Sequence, residues 1–170
     1  MTWHTLKRLL RHRWHDQHHV HRQFPPAALA RITHATAASE AQHSAQIRVC
    51  IEASLPTSYV WRKLAPRDRA LTLFGKYRLW DTERRNGVLI YILLVEHAIE
   101  IVADRGVSTH IPPEQLSAIS TRMASAFQAG QYETGVVSAI EQLNQLLLPL
   151  FARKPGEVPD NELDDRPVVL

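Results

Sequence analysis

Two short polar stretches hold the side chains best suited to chemistry. "DTERRNG" (81–87) carries Asp81, Glu83 and Asn86, and "ADRG" (103–106) adds Asp104. Hard oxygen donors on loops are what Ca2+ or Mg2+ requires. Arg85 and Arg105 stand among them, and a guanidinium grips phosphate bidentately. The set therefore reads as a divalent-cation site of Asp81, Glu83, Asn86 and Asp104, with Arg85 and Arg105 turned to an anion such as a phosphate ester. Against this stands a blander arrangement, in which the carboxylates pair with Arg84, Arg85 and Arg105 on a solvated rim and contribute little. Spacing alone favours the rim.

A second concentration lies near the start. Five of the ten histidines fall between His12 and His21, among arginines. On a helix His12, His15 and His19 share a face, and imidazole is a common metal ligand. No carboxylate or cysteine has a clear place completing that shell, and the arginines oppose a cation. Nucleic acid draws on the same basic residues, but the rest of the chain shows no reader fold and no basic face interleaved with aromatics. Trp3, Leu6, Leu9, Leu10 and Trp14 give the arm an apolar side, so an anionic membrane surface is the better partner for it. Elsewhere the signatures of common enzymes are missing: no Gly-rich phosphate loop, no G-x-S-x-G, no H-E-x-x-H, no C-x-x-C. The single cysteine, Cys50, excludes an internal disulfide and reads as a packing residue within a strand.

The elements that position these residues follow from periodicity. "QIRVCIEA" alternates, with Ile47, Val49, Ile51 and Ala53 on one side, as a half-buried strand does. "GVLIYILLV" is apolar throughout, as in a central strand covered on both faces, and "EH" turns it into "AIEIVADRG". Helices are expected from the prolines before residue 27, from Pro66, from Pro112–Pro113 to about Phe127, and from there to about Phe151. Phe24 is placed to staple onto Leu29. In the second helix Ala70, Leu71, Phe74 and Tyr77 recur at helical spacing, and "SLPTSYVWRKLAP" is a connecting loop. A β-α-β unit makes the first two strands parallel, and the tight turn makes the third antiparallel. Asp104–Gly106 must then lie beside Asp81–Gly87. The expected architecture is a three-layer α/β/α sandwich with a small mixed sheet flanked by about four helices.

Length, 170 residues, suits one domain. The segments expected are a basic His-rich arm (1–23), an α/β domain (24–152) and an acidic flexible tail (153–170). Net charge is +3, unevenly spread. No run is long and apolar enough for a signal or a spanning helix, so the expected location is cytoplasmic, peripheral at the inner membrane if the arm binds lipid.

"NGVLIYILL", the short turn into "IEIVADRG", and "FQAGQYETGVVSAI" resemble the TPM domain family over roughly residues 25–151. "RQFPPAALARI" and "NELDDRPVVL" resemble a short bacterial branch of it that has no signal peptide. The resemblance implies a three-layer sandwich and three kinds of activity: acid phosphatase, Ca2+ binding, or accessory module for membrane-protein complexes, with LemA-family proteins as frequent companions in bacteria. Gly87, Val88 and Leu89 match the family's strand entry. Glu96 stands where the family usually has an acidic pair, His97 taking the second place, which weakens acid-dependent chemistry at that turn. Asp104 stands where many members have glycine, just before the matching Gly106. Tyr132 and Gly135 match an aromatic-x-x-glycine before the last helix. The expectation is a binding or accessory module holding Ca2+ or Mg2+, with a metal-assisted phosphatase and a membrane-surface adaptor as alternatives.

Overall fold

The computed structural model describes Arg8, His12, residues 17–153 and residues 163–170. In chain order the elements are α1 (Gln17–Gln23), α2 (Pro26–Glu40), β1 (Gln46–Glu52), α3 (Thr57–Trp61), α4 (Pro66–Lys76), β2 (Gly87–Leu93), β3 (Ala98–Ala103), α5 (Arg105–Ser108), α6 (Pro113–Gln128), α7 (Tyr132–Phe151) and β4 (Val168–Val169). The sheet order is β3-β2-β1-β4. β1 and β2 are parallel, with Gln46 opposite Gly87, and β2 and β3 are antiparallel, with Ile90 opposite Ile101. This is the expected mixed sheet, with one strand more.

The sheet separates two cores. Ile47, Val49, Ile51, Val88, Ile90 and Ile92 face α2, α6 and α7. Leu89, Tyr91, Leu93 and Val102 face Val60, Ala70, Leu73 and Leu79 of the α3–α4 layer. Period-two alternation sends neighbouring residues to opposite faces, so β2, buried at every position, serves both. β1 alternates as expected but is not half-buried. Its second face lies under α3 and α4, and even Glu52 is only 3% exposed.

The glycines and aromatics at the element ends explain the closeness of packing. A Cβ on Gly87 would stand 2.1 Å from the Leu79 carbonyl oxygen, so β2 can begin there only with glycine. Phe24 is buried and meets Tyr132 edge-on at 5.8 Å and Phe127 at 6.1 Å. Gly135 lets α7 run against Phe127, whose ring would be 3.0 Å from an added Cβ. The aromatic-x-x-glycine is therefore a packing device between α6 and α7.

Three expectations need correction. "SLPTSYVWRKLAP" contains the helical turn α3, opened by Pro56. Leu71 is not a core residue: it is 50% exposed, and Leu73 takes its place, because the inward stripe of α4 runs through Ala70 and Leu73. The end of the tail is a strand rather than a flexible segment. Val168 and Val169 pair with Cys50 and Ile51, and Leu170 N–H donates to Ile51 O at 2.9 Å. Residues 154–162 of that expected tail lie outside the described residues.

Candidate functional site

Polar side chains gather at both ends of the sheet. The lower end joins the start of β2 to the end of β3. Asp104 N–H donates to Gly87 O at 2.9 Å, and Gly106 N–H to Arg85 O at 2.8 Å. A Cβ at Gly106 would come within 2.5 Å of both the Arg84 and Arg85 carbonyl oxygens. This clasp brings "DTERRNG" and "ADRG" together. Arg85 is itself in the left-handed region (φ 50°), a conformation that disfavours a residue bearing a Cβ.

Beside the clasp is a depression of about 340 Å³ lined by Trp80, Asp81, Thr82, Arg85, Asp104 and Arg105. Four of the six expected ligand residues are thus brought to one place. The Asp104 carboxylate caps α5 by accepting from Arg105 N–H at 2.7 Å. Its Oδ2 is buried without a hydrogen-bond partner among the described residues. Asp81 lies 3.7 Å from Arg78 on an exposed rim. Glu83 is exposed and is not among the lining residues. Asn86 is buried elsewhere: its amide donates to Ser44 Oγ at 3.3 Å, its N–H is bound by Thr82 Oγ1 at 2.9 Å, and its Oδ1 is unpartnered. Asn86 turns to Ser44 and is not among the residues that line the depression. Among the described residues no group of three or more His, Cys, Asp or Glu is arranged to hold a metal ion. Trp80 and Thr82 had not been expected at the site; their only sequence signal is adjacency to Asp81.

The upper end, at the C-termini of the parallel strands, is closed by its own counter-charges. Glu96, in the β2–β3 turn, accepts from Arg8 Nε at 2.6 Å and from His12 Nε2 at 2.7 Å. Leu55 N–H donates to His12 Nδ1 at 2.9 Å. A backbone N–H can only donate, so the His12 proton sits on Nε2 and points to Glu96. Burial raises the Glu96 carboxyl, but the bonds from Arg8 and His12 outweigh it and hold the group below the usual carboxylate range. Deeper in, Arg69 grips Glu52 with Nη2 at 2.7 Å and Nε at 3.0 Å, and Tyr91 O–H donates to the same carboxylate at 2.6 Å. Burial disfavours the Arg69 charge, yet Glu52 prevails and keeps the guanidinium firmly protonated.

Of the expected histidine face, His12 is spent on this contact; His15 and the side chain of His19 lie outside the described residues, as do Trp3, Leu6, Leu9, Leu10 and Trp14. Cys50 is buried and its thiol is pushed up to about 12, mainly by burial, so it is a packing residue and a poor nucleophile. His43 is pushed down to about 4 by burial and sits 3.1 Å from Ser39 Oγ, beneath a groove of about 470 Å³ between α2 and α7. Near the same end of the sheet, Glu40 accepts from Ile47 N–H at 2.6 Å. Burial first, and then the neighbouring Asp165, raise it to about 8. Among the described residues no helix is long and apolar enough to cross a membrane.

The fold is shared with solved structures. The BA42 protein of the psychrophilic bacterium Bizionia argentinensis superposes with a TM-score of 0.73 at 23% identity, over 84% of this chain and 92% of that one. The N-terminal domain of a P. gingivalis protein does so with a TM-score of 0.59 at 20% identity, over 72% and 74%. No curated protein matches the sequence. The family model of the TPM domain matches residues 22–146, which include the clasp at the lower end and Glu52, Arg69, Tyr91 and Glu96 at the upper one, and the chain belongs to the TPM domain family.

Proposed function

We propose that the protein is a ligand-binding accessory module of the TPM type, taking a phosphorylated ligand together with a divalent cation at the lower-edge depression. The carrying observation is the Asp104 carboxylate, with one oxygen capping α5 and the other buried beside Arg85 and Arg105 with no hydrogen-bond partner among the described residues. A buried acceptor without a partner costs about 1–3 kcal/mol, which a ligand would offset. Two carboxylates, Asp81 and Asp104, are too few for a Ca2+ cage of six to eight oxygens. They suit Mg2+, which keeps several waters and leans on one or two carboxylates plus phosphate oxygens. Arg85 and Arg105 would take the remaining phosphate oxygens. The chain's setting, on this reading, is a membrane-associated protein complex, with a LemA-family protein as one partner.

The test is an NMR titration of the full chain with Mg2+, Ca2+ and phosphate, singly and paired. Shifts at residues 80–85 and 104–106 that need both metal and phosphate support the module. No shift there under any combination overturns it. The presence of two arginines beside two carboxylates also favours a second reading, a metal-assisted phosphatase in which the ion polarises the phosphoryl group. Turnover of a chromogenic phosphate ester that disappears in Asp104→Asn would replace the module with the enzyme.

A further inference from the structure

Among the described residues the three most exposed large apolar side chains are Trp61 at 58%, Trp80 at 52% and Leu71 at 50%. All belong to residues 57–80, the segment of α3 and α4 that covers one face of the sheet. Scattered exposed apolar residues are normal; three in one layer, two of them indoles, are not scattered. Charge concentrates in the same layer. Residues 57–80 hold six Arg or Lys against one Asp or Glu, a net of +5, whereas the whole chain carries +3. Arg69 is committed to Glu52 and Arg67 to Glu100, which leaves Arg62, Lys63, Lys76 and Arg78 against Asp68. Arg62, Lys63, Lys76 and Arg78 are exposed.

We propose that the outer surface of the α3–α4 layer docks onto an anionic lipid surface. Indole rings settle at the headgroup level of a bilayer, and an aliphatic side chain such as Leu71 gains by entering the acyl boundary. Basic residues alongside add attraction to anionic headgroups, and each is worth about a fivefold change in binding. Nucleic acid would use the positive charge and could stack the indoles, but it offers no apolar phase to Leu71. Trp80 also lines the depression, so the two surfaces adjoin at that residue. Trp61, Leu71, Arg62 and Lys63 are not among its lining residues, and the docking does not need a ligand there. The surface also differs from the N-terminal arm, whose Arg8 and His12 are bound to Glu96.

The experiment is co-sedimentation of the full-length protein with vesicles of phosphatidylcholine alone or mixed with phosphatidylglycerol, across a salt series. The mixed vesicles are expected to retain the protein at low salt and release it at high salt. Trp61→Ser with Leu71→Ser should weaken retention at least tenfold, with unchanged thermal unfolding since both side chains are exposed. Arg62→Gln with Lys63→Gln should weaken it about 25-fold. Failure of the unaltered protein to bind the mixed vesicles overturns the proposal. So does undiminished binding by both double variants, which would move the contact elsewhere on the chain. Binding to an oligonucleotide but not to vesicles, lost in the same variants, overturns it in favour of nucleic acid.

Discussion

The two ends of the sheet use the same kinds of residue and arrive at opposite states. At the upper end Glu52 and Glu96 meet Arg69, Tyr91, Arg8 and His12 at 2.6–3.0 Å. At the lower end Asp81 and Asp104 share a depression with Arg85 and Arg105, yet among the described residues Asp104 Oδ2 has no hydrogen-bond partner and Asp81 stands 3.7 Å from Arg78. Closed charge pairs act as structure, because removing one partner strands the other. Charges left short of partners are available to a ligand. What separates the ends is therefore satisfaction, not composition. The β2–β3 turn carries one acid, Glu96, already bound by Arg8 and His12.

The comparison breaks most sharply at Arg69. Arg69→Ala leaves Glu52 charged beneath α4, and urea unfolding should show a loss of about 3–5 kcal/mol. Replacing both partners, with Glu52→Gln and Arg69→Met, should recover much of it. Next comes Gly106→Ala, whose Cβ meets two backbone carbonyls. A loss of about 1–3 kcal/mol is expected, with backbone amide shifts centred on residues 84–87. A smaller effect is expected at the turn. Glu96→Gln removes the charge that Arg8 and His12 bind and should cost about 1–2 kcal/mol. Because the Glu96 carboxyl is held low in the folded state, its contribution is present above the ordinary carboxylate range and disappears as pH falls through the folded value. Stabilities of the variant and the unaltered chain should therefore converge in acid. The smallest effect on stability belongs to Asp104→Asn, below about 0.5 kcal/mol, since asparagine caps a helix as well as aspartate does. The same change should abolish the metal-with-phosphate response at the lower end. An unaltered response would remove the contrast between the two ends.

Much of this was legible from short-range pattern. The unbroken apolar run of β2 announced a strand buried on both faces, and the hairpin brought Asp104 beside Asp81. Gly87 and Gly106 were visible as motif residues, but that each touches a carbonyl is a fact of tertiary packing. What stayed hidden depends on partners far along the chain. Glu52 reads as the solvent side of an alternating strand until Arg69 covers it. His12 reads as one ligand among several histidines until Glu96 and Leu55 claim it. Leu71 fits the helical stripe as well as Leu73 does, and only the tilt of α4 on the sheet decides between them. Asn86, just before β2, turns its side chain to Ser44, and sequence proximity to Asp81 says nothing about that orientation. The strand at the end was masked by its acidic lead-in, although "PVVL" carries the β-branched residues that a strand favours.

Glu40 gives the molecule a thermodynamic signature of its own. Burial lifts its carboxyl from an ordinary value to about 8, so near neutrality the unfolded chain has lost a proton that the folded chain retains. Folding in that range consequently takes up hydrogen ion from the buffer. The associated stability is full below the ordinary carboxylate range and drains away as pH climbs through about 8. Calorimetric unfolding enthalpies measured at neutral pH should differ between phosphate and Tris in proportion to the difference in their ionisation heats. Glu40→Gln should remove the part of that difference that comes from proton release on unfolding. Asp165, which adds to the shift, ties this proton to the segment that supplies the sheet's last strand.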